Sequence, residues 1–238
     1  MKKIFKKPVF WLILVLLLAI FLRFFRLTKS PPSLNWDETA IGYNAYSILK
    51  TGRDEWGVKL PLLGFESFGE YKLPVFIYAM IPAIKVFGLN AFGVRFMPAF
   101  FGVIGVLLTY LLVKELFKNK SLALISSFLL ATSLWHLQIT RVAFEAGLAQ
   151  FFIILTILFL AKTGKKWYFL PLAVLMACLA VYTYNSSRIF IPLFFIAAFL
   201  LSPKRFFKSK KGLALAILIV IVFAAPLLLR FNEPVIRG

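Results

Sequence analysis

A 238-residue chain that is 61% apolar, with a mean hydropathy of +0.89, carries more hydrophobic surface than a soluble domain of its size can hide. Its formal charge is +19, from 28 Lys and Arg against 9 Asp and Glu, but the basic residues cluster between long apolar runs. Topology and anionic lipid explain that pattern better than nucleic acid does. The composition therefore points to an all-α polytopic membrane protein with membrane lipids, not nucleic acid, as its surroundings. The single cysteine, Cys178, lies inside an apolar run and has no partner for an intrachain disulfide.

The first element follows Lys2, Lys3, Lys6 and Lys7 and covers 8–27. It is long enough to span a bilayer, and no small-x-small cleavage site follows it, so it reads as an uncleaved first helix. Basic clusters recur at Lys114/Lys118/Lys120, at Lys162/Lys165/Lys166 and at Lys204/Arg205/Lys208/Lys210/Lys211. If all of them lie on the cytoplasmic side with the N-terminus, each interval between clusters crosses the membrane an even number of times. The stretch 74–88 is short, contains Pro82 and Lys85, and is expected to be an interfacial or re-entrant helix. The run 91–113 then returns to the cytoplasmic side. Further spans are expected at 121–138, 146–161, 167–183, 189–201 and 213–229, leading to Arg230-Phe-Asn-Glu-Pro. The total is about seven spans in one transmembrane domain, 1–238, with a long first outer loop over 28–90.

That loop holds Asp37, Glu38, Asp54, Glu55, Glu66 and Glu70, most of the acids in the chain. Asn35-Trp36-Asp37-Glu38 opens an amphipathic stretch over 38–50, with Ile41, Ala45, Ile48 and Leu49 on one face and Gly52 closing it. Asn35 with Glu38 three residues on is a capping-box pattern, and Asp37 suits the first turn of a helix whether or not it does chemistry. Asp54, Glu55 and Glu66 read as solvent-facing. Elsewhere, His136 is a candidate ligand or a hydrogen-bonded packing residue, and Arg141 with Glu145 is either a helical ion pair or part of a site.

The order of these segments resembles the N-terminal half of a GT-C glycosyltransferase. This is the group of the protein O-mannosyltransferases and the lipid A aminoarabinose transferase, glycosyltransferase family 39 and its relatives. The resemblance rests on Trp36-Asp37-Glu38 after helix 1, then Tyr43 to Gly52, then Glu70-Tyr-Lys-Leu-Pro74 leading to Phe87-Gly88. Gly93-Val-Arg95-Phe-Met-Pro98 and Thr140-Arg141-Val-Ala-Phe-Glu145 complete it. It implies a polyprenyl-phosphate-linked sugar as donor and a protein, lipid or glycan as acceptor. The reaction is expected on the outer face of the cell (inner) membrane, in what reads as an incomplete GT-C module.

By this resemblance Asp37 is the general base and Glu38 a neighbouring catalytic or supporting acid. Glu70, Lys72, Arg141, Glu145, Tyr184 and Arg188 are candidate substrate-binding residues. Tyr182, Tyr184 and Asn185 suit a sugar, although interfacial tyrosines are also ordinary belt residues. The family leaves room for a divalent metal ion, with Glu70 as its weak candidate ligand; the looser Glu-Tyr-Lys-Leu-Pro spacing equally suits a solvated carboxylate. The cations Lys72, Arg95, Arg141 and Arg188 could face a departing lipid phosphate or merely contact headgroups. Two rival readings remain. A transporter or flippase would place charges in mid-span, where this chain has almost none. A non-catalytic or truncated membrane scaffold is the other, because relatives run to about twice this length.

Overall fold

Apolar runs punctuated by capping residues and glycines set the element order in the computed structural model, which describes residues 8–229. The helices are α1 (Pro8–Phe24), α2 (Trp36–Thr51), α3 (Pro74–Phe87), α4 (Ala91–Phe117), α5 (Lys120–Thr132) and α6 (Leu134–Arg141). They continue with α7 (Glu145–Lys162), α8 (Phe169–Val181), α9 (Ser187–Leu201), the single turn α10 (Pro203–Phe206) and α11 (Lys210–Leu229). One hairpin, β1 (Phe65–Ser67) and β2 (Glu70–Lys72), precedes α3. Lys2, Lys3, Lys6, Lys7 and the stretch from Arg230 to Gly238 lie outside the described residues.

α4 is the hub. It packs against α1, α3, α5, α6 and α7, while α7 leads on to α8 and α8 to α11. Close approach needs small residues on the hub. A Cβ at Gly102 would lie 2.7 Å from Thr140 Cβ and 2.8 Å from Arg23 Nε, whereas at Gly105 the nearest atom would be His136 Nε2 at 3.8 Å. Gly102→Ala is therefore expected to destabilise the fold by about 1–3 kcal/mol through overpacking. Gly105→Ala should be neutral or slightly stabilising, since alanine favours a helix. The thermal midpoints of the two variants in detergent should differ accordingly.

By length and composition, α4, α7 and α11 can each cross a membrane, and α5 with α6 make a fourth span if that bent pair counts as one. α1, α3, α8 and α9 are shorter apolar helices. The other three of the seven expected spans fall on α1, α8 and α9, whose 17, 13 and 15 residues are shorter than the ~20 an untilted crossing needs. The single span expected over 121–138 is also broken, with a 57° bend between α5 and α6. Ser133 causes the break: its extended backbone ends α5, and its hydroxyl accepts the His136 amide at 3.4 Å to start α6.

The segment between α1 and α4 has a core of its own. Ile41, Ala45 and Ile48 of α2 meet Phe76, Ile77, Met80 and Ile84 of α3, together with Phe65 of the hairpin. α3 runs through Pro82 without interruption, and α2 has both ends fixed as the residue types suggest. Asn35 Oδ1 accepts the Glu38 amide at 2.7 Å, Glu38 Oε2 accepts the Asn35 amide at 3.1 Å, and Gly52 closes the helix at φ 69°.

Candidate active site

The first turn of α2 is held from below by a buried ion pair. Arg95 on α4 donates from Nε to Glu38 Oε1 at 2.8 Å and from Nη2 to Oε2 at 2.9 Å, with both side chains almost completely buried. Its remaining donors reach the carbonyls of Leu27 (3.1 Å), Pro31 (2.7 Å) and Ser33 (2.7 Å), so the whole guanidinium is committed. Glu38 Oε1 also accepts the Ala143 amide at 3.2 Å. One arginine and one glutamate therefore fasten α2, α4, the chain leaving α1 and the turn before α7 to each other. Glu38, expected from the sequence as a catalytic or supporting acid, is buried beneath this turn with both carboxylate oxygens engaged.

Asp37, its neighbour in sequence, points the other way and is partly open to solvent. Its Oδ1 meets Lys72 Nζ at 2.6 Å, and Lys72 also reaches Glu70 Oε2 at 3.0 Å. No described residue donates to Asp37 Oδ2. The hairpin brings this about. Phe68 and Gly69 supply the two positive-φ residues (53° and 77°) that a two-residue turn requires, and residues two apart on β2 share a face. Glu70 and Lys72 thus lean the same way, toward α2. Burial works against the Lys72 charge, yet hydrogen bonds to Asp37 and Glu70 and the field of Glu145 together raise its pKa above the ordinary lysine value. The ammonium is retained throughout the neutral range.

The turn after α8 reaches the same end of the bundle. The Val75 amide, just past Lys72, donates to the Tyr182 carbonyl at 3.2 Å, and the Tyr182 hydroxyl donates to the Phe223 carbonyl at 2.6 Å. Tyr184 is exposed, and Arg188 is half-buried within electrostatic reach of the Tyr182 phenol. Beside them an apolar groove of about 380 Å³ runs between α8, α9 and α11, lined by Val181, Tyr182, Ile191, Phe195, Phe223 and Leu227 among others.

Several side chains are placed otherwise than the sequence suggested. Arg141 forms no helical pair with Glu145, because α6 ends at Arg141 and the chain turns through Val142–Phe144 before α7 begins. It donates instead to carbonyls of Leu22, Arg23, Phe25, Arg26 and Ser30, capping the C-terminal end of α1. His136 Nδ1 accepts from Arg23 Nη2 at 2.6 Å in a buried setting. Asp54 is buried, and its Oδ1 accepts the amides of Trp56 (3.0 Å) and Val58 (2.8 Å). Glu55 Oε1 accepts from Asn44 Nδ2 at 2.9 Å and from the Ser67 hydroxyl, tying α2 to the hairpin. Of the three acids read as solvent-facing, Glu55 and Glu66 are exposed and Asp54 is buried. A metal ion does not fit this arrangement: the Lys72 ammonium already bridges Asp37 and Glu70, and no three His, Cys, Asp or Glu residues converge among the described residues.

The family model for dolichyl-phosphate-mannose-protein mannosyltransferases matches residues 72–229, about two thirds of the chain. The chain belongs to this family. The match begins at Lys72, so it takes in Lys72, Arg95, Glu145 and the Tyr182 turn but not α2 with Asp37. A protein of Aquifex aeolicus (strain VF5), described only as uncharacterized, is 32% identical over 149 residues, covering 60% of this chain and 30% of that protein. Among solved structures, the archaeal oligosaccharyltransferase AglB from Archaeoglobus fulgidus, in complex with an inhibitory peptide and a dolichol-phosphate, superposes with a TM-score of 0.62 at 18% identity. That match covers 94% of this chain and 29% of AglB. The apo form of the Archaeoglobus fulgidus oligosaccharyltransferase gives 0.62 at 21% identity, covering 95% and 30%. This mannosyltransferase-family chain thus has a GT-C membrane fold and spans about 30% of the length of these relatives.

Proposed function

We propose that this member of the mannosyltransferase family transfers a sugar from a polyprenyl-phosphate donor to an acceptor hydroxyl, with Asp37 as general base. The reaction would take place on the outer face of the cell membrane, with the basic clusters inside and α1, α4, the α5–α6 pair, α7, α8, α9 and α11 crossing. One observation carries the reading: Asp37 is presented at a fixed helix start, with Oδ1 held by Lys72 and no donor to Oδ2 among the described residues. A hydroxyl is a poor nucleophile near neutral pH, and a carboxylate within hydrogen-bond reach takes its proton as the new bond forms. The acceptor oxygen bonds to the anomeric carbon and the proton passes to Asp37 Oδ2. The bond from that carbon to the phosphate oxygen breaks, leaving the lipid phosphate.

Lys72 holds the base ionised and oriented. The apolar groove suits the polyprenyl chain, and Arg188, within electrostatic reach of Tyr182 on the groove wall, suits the departing phosphate, with Tyr184 a candidate sugar contact. Glu145, acting on Lys72 through its field, completes the polar setting. The test is sugar transfer from a polyprenyl-phosphate donor in membranes holding the natural gene product, wild type against Asp37→Asn. Unchanged transfer in the variant would remove Asp37 as the base.

A further inference from the structure

The opposite end of the bundle carries a second polar cavity. α7 starts at Glu145, near the Lys72 cluster, and runs ~27 Å before ending at Lys162. The turn that follows it meets the turn between α9 and α11 around a cavity of about 170 Å³, room for a phosphate group and several waters. Lys165, Lys166, Arg205, Lys208, Ser209 and Trp167 are among its walls.

Among the described residues this charge is balanced only in part. Glu115, the acid at this end, is bound by Lys118 and by Lys165. Lys166 lies 5.7 Å over the Tyr168 ring. Arg205 and Lys208 form no ion pair with any described acid. Lys208 is nevertheless drawn in: its stem lies over Gly164, where a Cβ would sit 2.9 Å from Lys208 Cδ and where φ is +92°. Ser209 starts the 20-residue α11, its hydroxyl accepting the Gly212 amide at 3.1 Å, so the positive end of that helix adds to the same field. Trp167 closes one side, with Lys211 4.5 Å over its ring. Crowded like charges around a cavity of this size are unfavourable unless an anion enters.

We propose that this cavity binds the phosphate of an anionic membrane lipid. Lipid is favoured over a free anion because Leu200, Leu201 and Phe207, beside Arg205, are 73%, 84% and 59% exposed. They offer an apolar surface for acyl chains next to a headgroup seated in the cavity. Lysine-rich pockets between helices at a membrane surface bind anionic headgroups by this combination. The assignment is independent of the transfer reaction proposed above.

The test is native mass spectrometry of the full chain in detergent with phosphatidylglycerol, phosphatidylcholine or inorganic phosphate. Wild type should retain one phosphatidylglycerol in preference to phosphatidylcholine. Arg205→Gln with Lys208→Gln should bind it about thirtyfold more weakly, as two charges at about 1 kcal/mol each imply. Lys204→Gln with Lys210→Gln removes the same charge outside the cavity and should retain the lipid. Equal loss in that control, or saturation by inorganic phosphate with no preference for phosphatidylglycerol, would overturn the proposal. Should the first double variant fail to fold, the wild-type titration decides alone: no preference for phosphatidylglycerol over phosphatidylcholine sinks it.

Discussion

Asp37→Asn is expected to lower sugar transfer by about 10²- to 10⁴-fold, the usual contribution of a positioned general base. The fold should be unaffected, because Asp37 is partly exposed and its one ion pair, to Lys72, is at the site surface. The geometry makes the substitution more damaging than simple loss of charge. The Asn carbonyl would be held on the Lys72 ammonium, since an amide nitrogen cannot accept from it. That would turn the NH₂ group toward the position of Oδ2, placing a donor where the reaction needs an acceptor. Lys72→Met separates the two functions. It should leave a carboxylate that can still take a proton but is no longer oriented, and transfer should fall by roughly tenfold, well short of the loss from removing the base itself. Initial rates at saturating donor, with thermal midpoints in parallel, distinguish these outcomes; a Lys72→Met loss as deep as that of Asp37→Asn would instead make the lysine an essential part of the chemistry. Because the partners of Lys72 raise its pKa, the Asp37–Lys72 pair persists through neutral pH and weakens only as alkaline pH removes the ammonium proton.

The parts of this site that could be read from the chain are those set by near neighbours. The Asn35–Glu38 capping box, the closure of α2 at Gly52 and the separate short helix from Pro74 all depend on residues within a few positions of each other. The parts that could not be read depend on distance. Glu38 satisfies the capping pattern and also binds Arg95, 57 residues on, and nothing in the local sequence says that one carboxylate does both. Arg141 and Glu145 have helical spacing, but the backbone turns between them, and Arg141 finds the end of α1 instead. Strands of three residues are too short for alternation to show, so the hairpin that delivers Lys72 left only Phe68-Gly69 and the Glu70/Lys72 spacing as traces. The break at Ser133 was hidden because the apolar run continues across it; only the Thr132-Ser133 pair, able to bond to nearby backbone, signalled a change of direction.

Arg95→Met should produce the largest loss of stability of any single change at this end of the molecule, about 3–5 kcal/mol, because it strands the Glu38 carboxylate in a buried setting. The effect is predicted to be asymmetric. Replacing both partners, with Arg95→Met and Glu38→Gln together, should be less harmful than Arg95→Met alone: the neutral amide keeps its capping bond to the Asn35 amide and no longer carries a buried charge. Arg95→Lys should not rescue the site, since one ammonium cannot reach Glu38 and the carbonyls of Leu27, Pro31 and Ser33 together. That variant is the informative one for function. If the buried pair serves Asp37 by fixing the first turn of α2, Arg95→Lys should lose transfer more steeply than its thermal midpoint alone explains, with Asp37 itself intact. A variant whose activity tracks its folded fraction would show that the pair holds the fold and does nothing further for the base.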